Sequence, residues 1–215
     1  MPKKTLVVSC ALALLSLAAP ALAGPPFLCH VFDIGSTASL PWVNGDWLGT
    51  RSDYDITRVV ADTQALLTTD TPTLARMETL RRAVLYASRD RALAERLVAA
   101  LAARVDAADK GRRTDAQALF DLGYALEAIN EVEELAHYAS DFADRGRALA
   151  GMTRPGDGQA LMLKSASLRS DDAGIAFALA LISKTEDRQP HLQKARAGAR
   201  QDRLLASNMA RLQMQ

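Results

Sequence analysis

The feature that most constrains the fold is a helical spacing of apolar residues that runs from Tyr54 almost to the end of the chain. Apolar side chains recur there at steps of three and four residues, which is the spacing that lines one face of an α-helix. No run of alternating β-branched residues interrupts this pattern, so strands are not expected. The spacing predicts helices near 54–68, 72–88, 90–107, 114–130, 131–149, 159–169, 172–184 and 190–211. We therefore predict an all-α protein whose helical domain spans 54–215.

Residues that begin helices mark several of these boundaries. Thr71 is suited to an N-cap with Pro72 at the first helical position, and Thr114–Gln117 matches a capping box. Asn130 is suited to begin a further helix. The stretch 173–182 is apolar on nearly every side, which predicts a helix at the centre of the protein rather than at its surface.

The predicted helices also recur as pairs at about 40 residues. A shift of 41 residues places Asp90 on Glu131 and on Asp172. Three helix pairs are enough for a stacked array, so the spacing predicts an αα-hairpin repeat, or α-solenoid. A compact helical bundle would produce the same amphipathic stripes and is the alternative architecture.

One stretch carries a family resemblance. Phe120–Leu126, with the Leu122-Gly123 pair inside it, resembles the first helix of a tetratricopeptide repeat over about one hairpin. The resemblance implies a concave surface lined by side chains of the first helix in each pair. On that basis the residues expected to bind a protein or peptide partner are Arg82, Tyr86, Tyr124, Glu127 and Lys164.

The start of the chain has the pattern of a targeting segment. Lys3 and Lys4 precede an uncharged apolar run that ends in Ala21-Leu22-Ala23, as in a cleaved secretory signal. We predict that residues 1–23 are a signal peptide and that the mature protein is periplasmic or secreted. An uncleaved membrane anchor is the alternative, because residues 5–23 could just span a bilayer. No second apolar run of that length follows, so no transmembrane segment is expected after cleavage.

Residues 24–53 differ from the rest of the chain, because they are rich in Pro and Gly and contain both tryptophans. No helical or strand period is visible in them. The aromatic rings are too apolar for a flexible tail, so we predict an extended segment that packs on the helical domain. Removal of residues 1–23 would leave Cys29 as the single cysteine, which excludes an intramolecular disulfide.

Charge argues against one class of partner. The net charge is +1 and aromatic residues make up 5% of the chain, so neither electrostatic steering nor base stacking favours nucleic acid. Acidic and basic residues nevertheless cluster in neighbouring helix pairs. The acidic cluster is Glu127, Glu131, Glu133, Glu134, Asp141 and Asp144, and the basic cluster is Arg81, Arg82, Arg89, Arg91 and Arg96. These residues form either surface ion pairs or a charged groove for a partner.

Cys29, His30 and Asp33 are candidate metal ligands, since a thiolate, an imidazole and a carboxylate suit zinc or copper. The missing second ligand pair favours a buried, structural cysteine instead. The chain has no G-x-S-x-G motif and no phosphate-binding glycine loop, so no catalytic residue and no cofactor is predicted. The sequence thus favours an exported interaction or scaffold module, with a small-ligand or metal-binding protein as the alternative.

Overall fold

Helices fill most of the chain that the computed structural model describes, which is residues 27–183 and 185–213. Nine α-helices and no strand lie in these ranges, so the all-α prediction is confirmed. The helices are α1 (Val59–Leu66), α2 (Thr73–Ala87), α3 (Arg91–Lys110), α4 (Ala116–Leu135), α5 (Ala143–Leu149), α6 (Asp157–Leu168), α7 (Ala173–Ile182), α8 (Thr185–Ala199) and α9 (Arg203–Gln213). The predicted signal peptide, residues 1–23, lies outside the described residues.

Aspartates begin four of these helices. Asp90, Asp115, Asp172 and Asp202 each accept two backbone N–H groups from the first turn of α3, α4, α7 and α9. Each carboxylate satisfies donors that have no partner inside the helix. The predicted capping box at Thr114 is therefore wrong by one residue, since Asp115 occupies the N-cap of α4.

Other predicted boundaries also differ from the structure, and the first is at α2, where Pro72 rather than Thr71 occupies the N-cap. Helix α4 continues through Asn130 to Leu135, so Asn130 begins no helix, and its side chain instead accepts a hydrogen bond from Thr153. The chain expected to form the helix near 131–149 is thus shared between the end of α4, a short 3-10 turn and α5. Helix α8 begins before Pro190 and contains it. The break between α8 and α9 is set by Asp202, which caps the start of α9.

Helix α4 is the centre of the arrangement, because it contacts helices that precede it (α2 and α3) and helices that follow it (α5, α6 and α7). At Gly123 and Gly158 the main-chain atoms of α4 and α6 come close together. A Cβ atom added to Gly123 would lie 2.6 Å from the Gly158 carbonyl oxygen, a separation that real Cβ atoms essentially never show. Glycine at both positions is what allows the two helix backbones to approach this closely.

Helix α7 is also internal, as its apolar sequence predicts. Residues Ile175–Ala180 are buried, and α7 packs on α8, α6 and α2. In an open stack each unit contacts only its neighbours. Of the three positions related by the 41-residue shift, Asp90 and Asp172 begin helices, whereas Glu131 lies inside α4. The repeat array therefore stays a prediction, with the compact bundle as its alternative.

Within the described ranges, the helices are all too short or too polar to serve as membrane spans.

Candidate functional site

Residues 27–53, here called the N-terminal segment, lie along the helices and are largely not helical themselves. Four of its apolar side chains are buried: Phe27, Leu28, Phe32 and Leu40. Polar side chains of three helices hydrogen-bond its backbone. We call these residues the segment groove: Glu78, Arg81, Arg82 and Tyr86 on α2, Glu131 on α4 and Asn208 on α9. Together these six side chains bind backbone groups of the segment between Phe27 and Arg51.

The middle of α2 supplies a buried acceptor and its counter-charges. Glu78 and Arg81 are both 0% exposed, and the Arg81 guanidinium donates two hydrogen bonds of 2.8 Å to the Glu78 carboxylate. Arg82 donates a third at 2.7 Å. Their i, i+3 and i, i+4 spacing places the three side chains on one face of the helix. The Phe32 N–H of the segment also donates a hydrogen bond to the Glu78 carboxylate, at 3.1 Å.

The two arginines also hold carbonyl groups of the N-terminal segment. Arg81 donates to the carbonyl oxygens of Leu28, at 3.1 Å, and Trp47, at 2.8 Å. Arg82 donates to the Leu40 carbonyl oxygen at 2.5 Å. A guanidinium has five N–H donors, so it can pair with a carboxylate and still bind carbonyls. These contacts join parts of the segment that are far apart in sequence to one side of α2.

Tyr86, one turn further along α2, extends this contact. Its hydroxyl donates to the Pro41 carbonyl oxygen at 2.7 Å and accepts from the Arg51 N–H at 2.9 Å. Its ring packs edge-on against Trp42, with centroids 5.8 Å apart. The Arg81 guanidinium lies 4.8 Å from the centroid of the same Trp42 ring, which is a cation–π distance.

At α4 the start of the segment meets a buried carboxylate. Glu131 accepts from the Phe27 N–H at 2.6 Å and from the Leu28 N–H at 2.8 Å. Burial raises the pKa of Glu131 to about 8, although the two N–H donors oppose this rise. The Tyr124 ring packs 5.2 Å from Phe27, and its hydroxyl is buried with no hydrogen-bond partner among the described residues.

At α9 a single side chain contacts both backbone groups of one segment residue. The Asn208 Oδ1 atom accepts from the Asp33 N–H at 2.8 Å, and Asn208 Nδ2 donates to the Asp33 carbonyl oxygen, also at 2.8 Å. A side-chain amide can do this because it carries a donor and an acceptor side by side. The pairing resembles the one that a neighbouring strand would provide.

The residues predicted to bind a partner fall into two groups. Arg82, Tyr86 and Tyr124 contact the N-terminal segment, but Tyr86 and Tyr124 are 0% exposed and so are not on an accessible surface. Glu127 is half-buried and accepts from the Gln159 N–H at the α4–α6 contact, and Lys164 is exposed on α6. The structure does not bring these last two residues to the groove.

Sequence reasoning missed Glu78 and Asn208, and it treated Arg81 and Glu131 only as members of charged clusters. One signal for the first was present, because Glu78, Arg81 and Arg82 have the spacing of an ion pair on one helix face. Nothing in the sequence indicated that these three side chains are covered by another part of the chain. The cover is the N-terminal segment, which is distant in sequence and carries no helical period.

The candidate metal ligands lie at the start of the segment. Burial, followed by the charge of Glu131, raises the pKa of the half-buried Cys29 thiol to about 11, so the thiol is neutral at physiological pH. His30 is buried, and the Asp33 carboxylate accepts from the Gly35 N–H and from Ser207. Within the described part of the chain, no group of three or more His, Cys, Asp or Glu side chains could hold a metal ion.

Cys29 and His30 also line a cleft of about 320 Å³ between the segment and α9. Its walls mix apolar and polar side chains. The other lining residues are Val31, Phe32, Asn208, Arg211 and Leu212.

Comparison of the chain with protein-family models, with curated proteins and with solved structures returned no match.

Proposed function

We propose that this protein is an exported, periplasmic or secreted interaction module whose helices bind an extended polypeptide. The binding surface is the segment groove, and Arg82 and Tyr86 are its members already expected from the sequence. In the structure described here the N-terminal segment occupies this groove. The proposal requires that the segment can be displaced by, or exchanged for, another extended chain.

The observation that supports the proposal is the way in which helix side chains contact backbone groups. Glu78 and Glu131 accept from segment N–H groups, Arg81 and Arg82 donate to segment carbonyls, and Asn208 does both. Backbone hydrogen bonds give affinity for an extended chain of many sequences, whereas pockets for alternate side chains give specificity. Here the buried rings of the segment fill those pockets.

Binding in trans tests the proposal. A labelled peptide of residues 27–53 is titrated into the Phe32→Ala chain, whose own segment lacks one anchor, and into the wild-type chain. We expect the variant to bind the peptide at least about tenfold more tightly, because its resident segment competes less. A peptide with Phe27→Ala and Phe32→Ala is the control ligand. Equal or absent binding of the intact peptide to both chains would contradict the proposal.

A matched pair of variants then tests the surface. In the Phe32→Ala background, Arg82→Ala removes a donor to the segment backbone, and Arg96→Ala removes an exposed arginine on α3. Losing a charged hydrogen bond costs about 1.5–3 kcal/mol, so R82A is expected to weaken peptide binding by about tenfold or more. R96A is expected to leave it unchanged.

The cleft of about 320 Å³ favours a second candidate function, the binding of a small ligand beside Cys29 and His30. Binding of a metal there stays a prediction from the sequence, because the described residues offer no group of three possible metal ligands. Metal analysis of protein purified from its native compartment, with Cys29→Ser as the comparison, tests the metal form of this function. One equivalent of metal in the wild type, lost in the variant, would support it. Substoichiometric metal in the wild type would count against it.

A further inference from the structure

Helices α7, α8 and α9 line a small cavity of about 60 Å³. Its apolar wall includes Phe177 and Leu181 of α7, Leu192 of α8, and Met209 and Leu212 of α9. A cavity of about 150 Å³ can bind benzene, whereas one water molecule needs about 10–15 Å³, so this cavity suits a group of a few carbon atoms. It shares no residue with the segment groove, and it shares only Leu212 with the cleft beside Cys29.

Two arginines of α8 complete the lining of this cavity. Arg188, Leu192 and Arg196 are spaced by four residues, which places them on one side of the helix. Arg188 is half-buried, and its Nε atom is buried without a hydrogen-bond partner among the described residues. Arg196 is exposed. In the part of the chain that the structure describes, neither guanidinium forms an ion pair with a carboxylate.

The buried Nε–H group of Arg188 indicates the chemistry of a ligand. A buried donor without an acceptor is uncommon, because it has lost its contact with water and gained no hydrogen bond. A carboxylate can accept from Nε and from an Nη atom of one guanidinium at the same time, which is a geometry that arginine favours. The surrounding charge also favours an anion, since residues 185–213 contain six Arg and Lys but three Asp and Glu. The cavity therefore combines a cationic donor with an apolar wall.

We propose that this cavity binds a short aliphatic carboxylate, with the carboxylate on Arg188 and the hydrocarbon chain against the apolar side chains of α7 and α9. Met209 and Leu212 would contact the chain. Arg196, two helical turns beyond Arg188, adds positive charge at the exposed edge of the site. This site does not depend on the proposed function, because it lies outside the segment groove.

Methyl NMR of the full chain, labelled with carbon-13 at the methionine methyl groups, both locates and measures binding. The Met209 signal is assigned by its loss in Met209→Leu. Acetate, butyrate and hexanoate are titrated in at constant ionic strength, and hexanol and hexylammonium provide a neutral and a cationic head group on the same chain. We expect hexanoate to shift the Met209 signal and to bind at least about tenfold more tightly than acetate, hexanol or hexylammonium, because each fully buried methylene strengthens binding by about fourfold.

Variants then separate the two parts of the site. Arg188→Gln should weaken hexanoate binding by about tenfold or more, whereas Arg203→Gln, which removes an exposed arginine of α9 outside the cavity, should change it by less than about twofold. Ala180→Val adds two methyl groups to the cavity wall and should reduce the affinity for hexanoate towards that for acetate.

Several results would overturn the proposal. An unmoved Met209 signal excludes the cavity as the site. Equal affinity for hexanoate and acetate shows only a surface anion, and equal affinity for hexanoate and hexanol shows only an apolar contact. Equal weakening by R188Q and R203Q assigns the effect to the overall positive charge of the last helices rather than to Arg188.

Discussion

Helix α2 carries two buried charge clusters that are built in different ways. Near its start, Arg76 donates to the Asp121 carboxylate of α4 at 2.7 Å, and Arg104 of α3 donates to the same oxygen at 2.8 Å. In its middle, Glu78 and Arg81 pair with each other on α2 itself. The first cluster joins three helices, whereas the second uses its remaining donors and acceptors on the backbone of the N-terminal segment.

The difference separates two roles for buried charge. When the opposite charges come from different helices, movement of one helix leaves a buried charge without its partner, so the cluster fixes how the helices pack. When both charges come from one helix, the pair stays intact and its remaining donors and acceptors bind backbone groups of the N-terminal segment. The first arrangement holds the helices together, and the second holds the segment on α2.

The largest expected effect is at the cluster between helices. Asp121→Ala leaves Arg76, which is 1% exposed, without its counter-charge, so we expect a loss of about 3–5 kcal/mol in the free energy of unfolding. Urea denaturation followed by far-UV circular dichroism measures it. The control is Asp106→Ala, at an exposed position on α3, which is expected to stay within about 0.5 kcal/mol of wild type. A similar, small change in both variants would show that the cluster contributes little.

The next effect is expected in the groove. Glu78→Gln leaves Arg81 and Arg82 without their carboxylate, and we expect a loss of about 2–4 kcal/mol. Both tryptophans of the chain lie in the N-terminal segment, so fluorescence follows the segment and circular dichroism follows the helices. In E78Q the fluorescence transition should come at lower urea than the helical transition. In D121A the two should coincide; the same separation in both variants would contradict the distinction between the clusters.

The pH dependence of the unfolding free energy tests the contact between Glu131 and the start of the segment. The pKa of Glu131 is about 8 in the folded protein and 4.5 ordinarily, so the folded state favours the protonated form. Its contribution is complete below pH 4.5 and is lost as pH rises through about 8. We expect the unfolding free energy to fall by about 1–3 kcal/mol between pH 5 and pH 9.

Glu131→Gln is neutral throughout this range, so its urea midpoint should depend less on pH than that of the wild type. The ionisable groups near Glu131 are Glu127, Glu134, Tyr124, Tyr138, Cys29 and Arg81. Equal slopes in the two proteins would assign the pH dependence to these neighbours.

The smallest expected effect is at the end of the groove. Tyr86→Phe removes one hydroxyl with two hydrogen bonds to the segment, at the Pro41 carbonyl and the Arg51 N–H, and should cost about 1–2 kcal/mol. Tyr138→Phe is the matched control, because that side chain is 69% exposed. Denaturation curves of the two variants, followed by fluorescence, give the difference. A larger loss of unfolding free energy in Y138F than in Y86F would show that the Tyr86 hydroxyl contributes little to holding the segment.

Much of the fold could be predicted from apolar spacing alone. The all-α class and the internal position of α7 follow from it, because burial of apolar faces dominates packing. Helix ends were less predictable. Asn130 and Pro190 both lie inside helices, although each residue type has a local preference for helix ends.

The groove could be predicted only in part, for a physical reason. A sequence shows that Arg81 and Glu131 are charged, but whether a charge is buried depends on what covers it. Here the cover is the N-terminal segment, and Glu131 is separated by 104 positions from Phe27, whose N–H it accepts. Arg82 and Tyr86 were expected to lie on a free surface that binds a partner, and the structure places the chain's own segment against them.

The glycine contact between α4 and α6 has a consequence far from its own position. Gly123 and Gly158 set the spacing of the two backbones, and α6 leads through α7 and α8 to α9, which carries Asn208. A side chain at either glycine would place its Cβ atom 2.6 Å or less from the facing carbonyl oxygen, so the two backbones would have to separate. Because Asn208 and the groove residues of α2 and α4 bind one and the same segment, a change in how the later helices pack would reach the groove although no groove residue had changed.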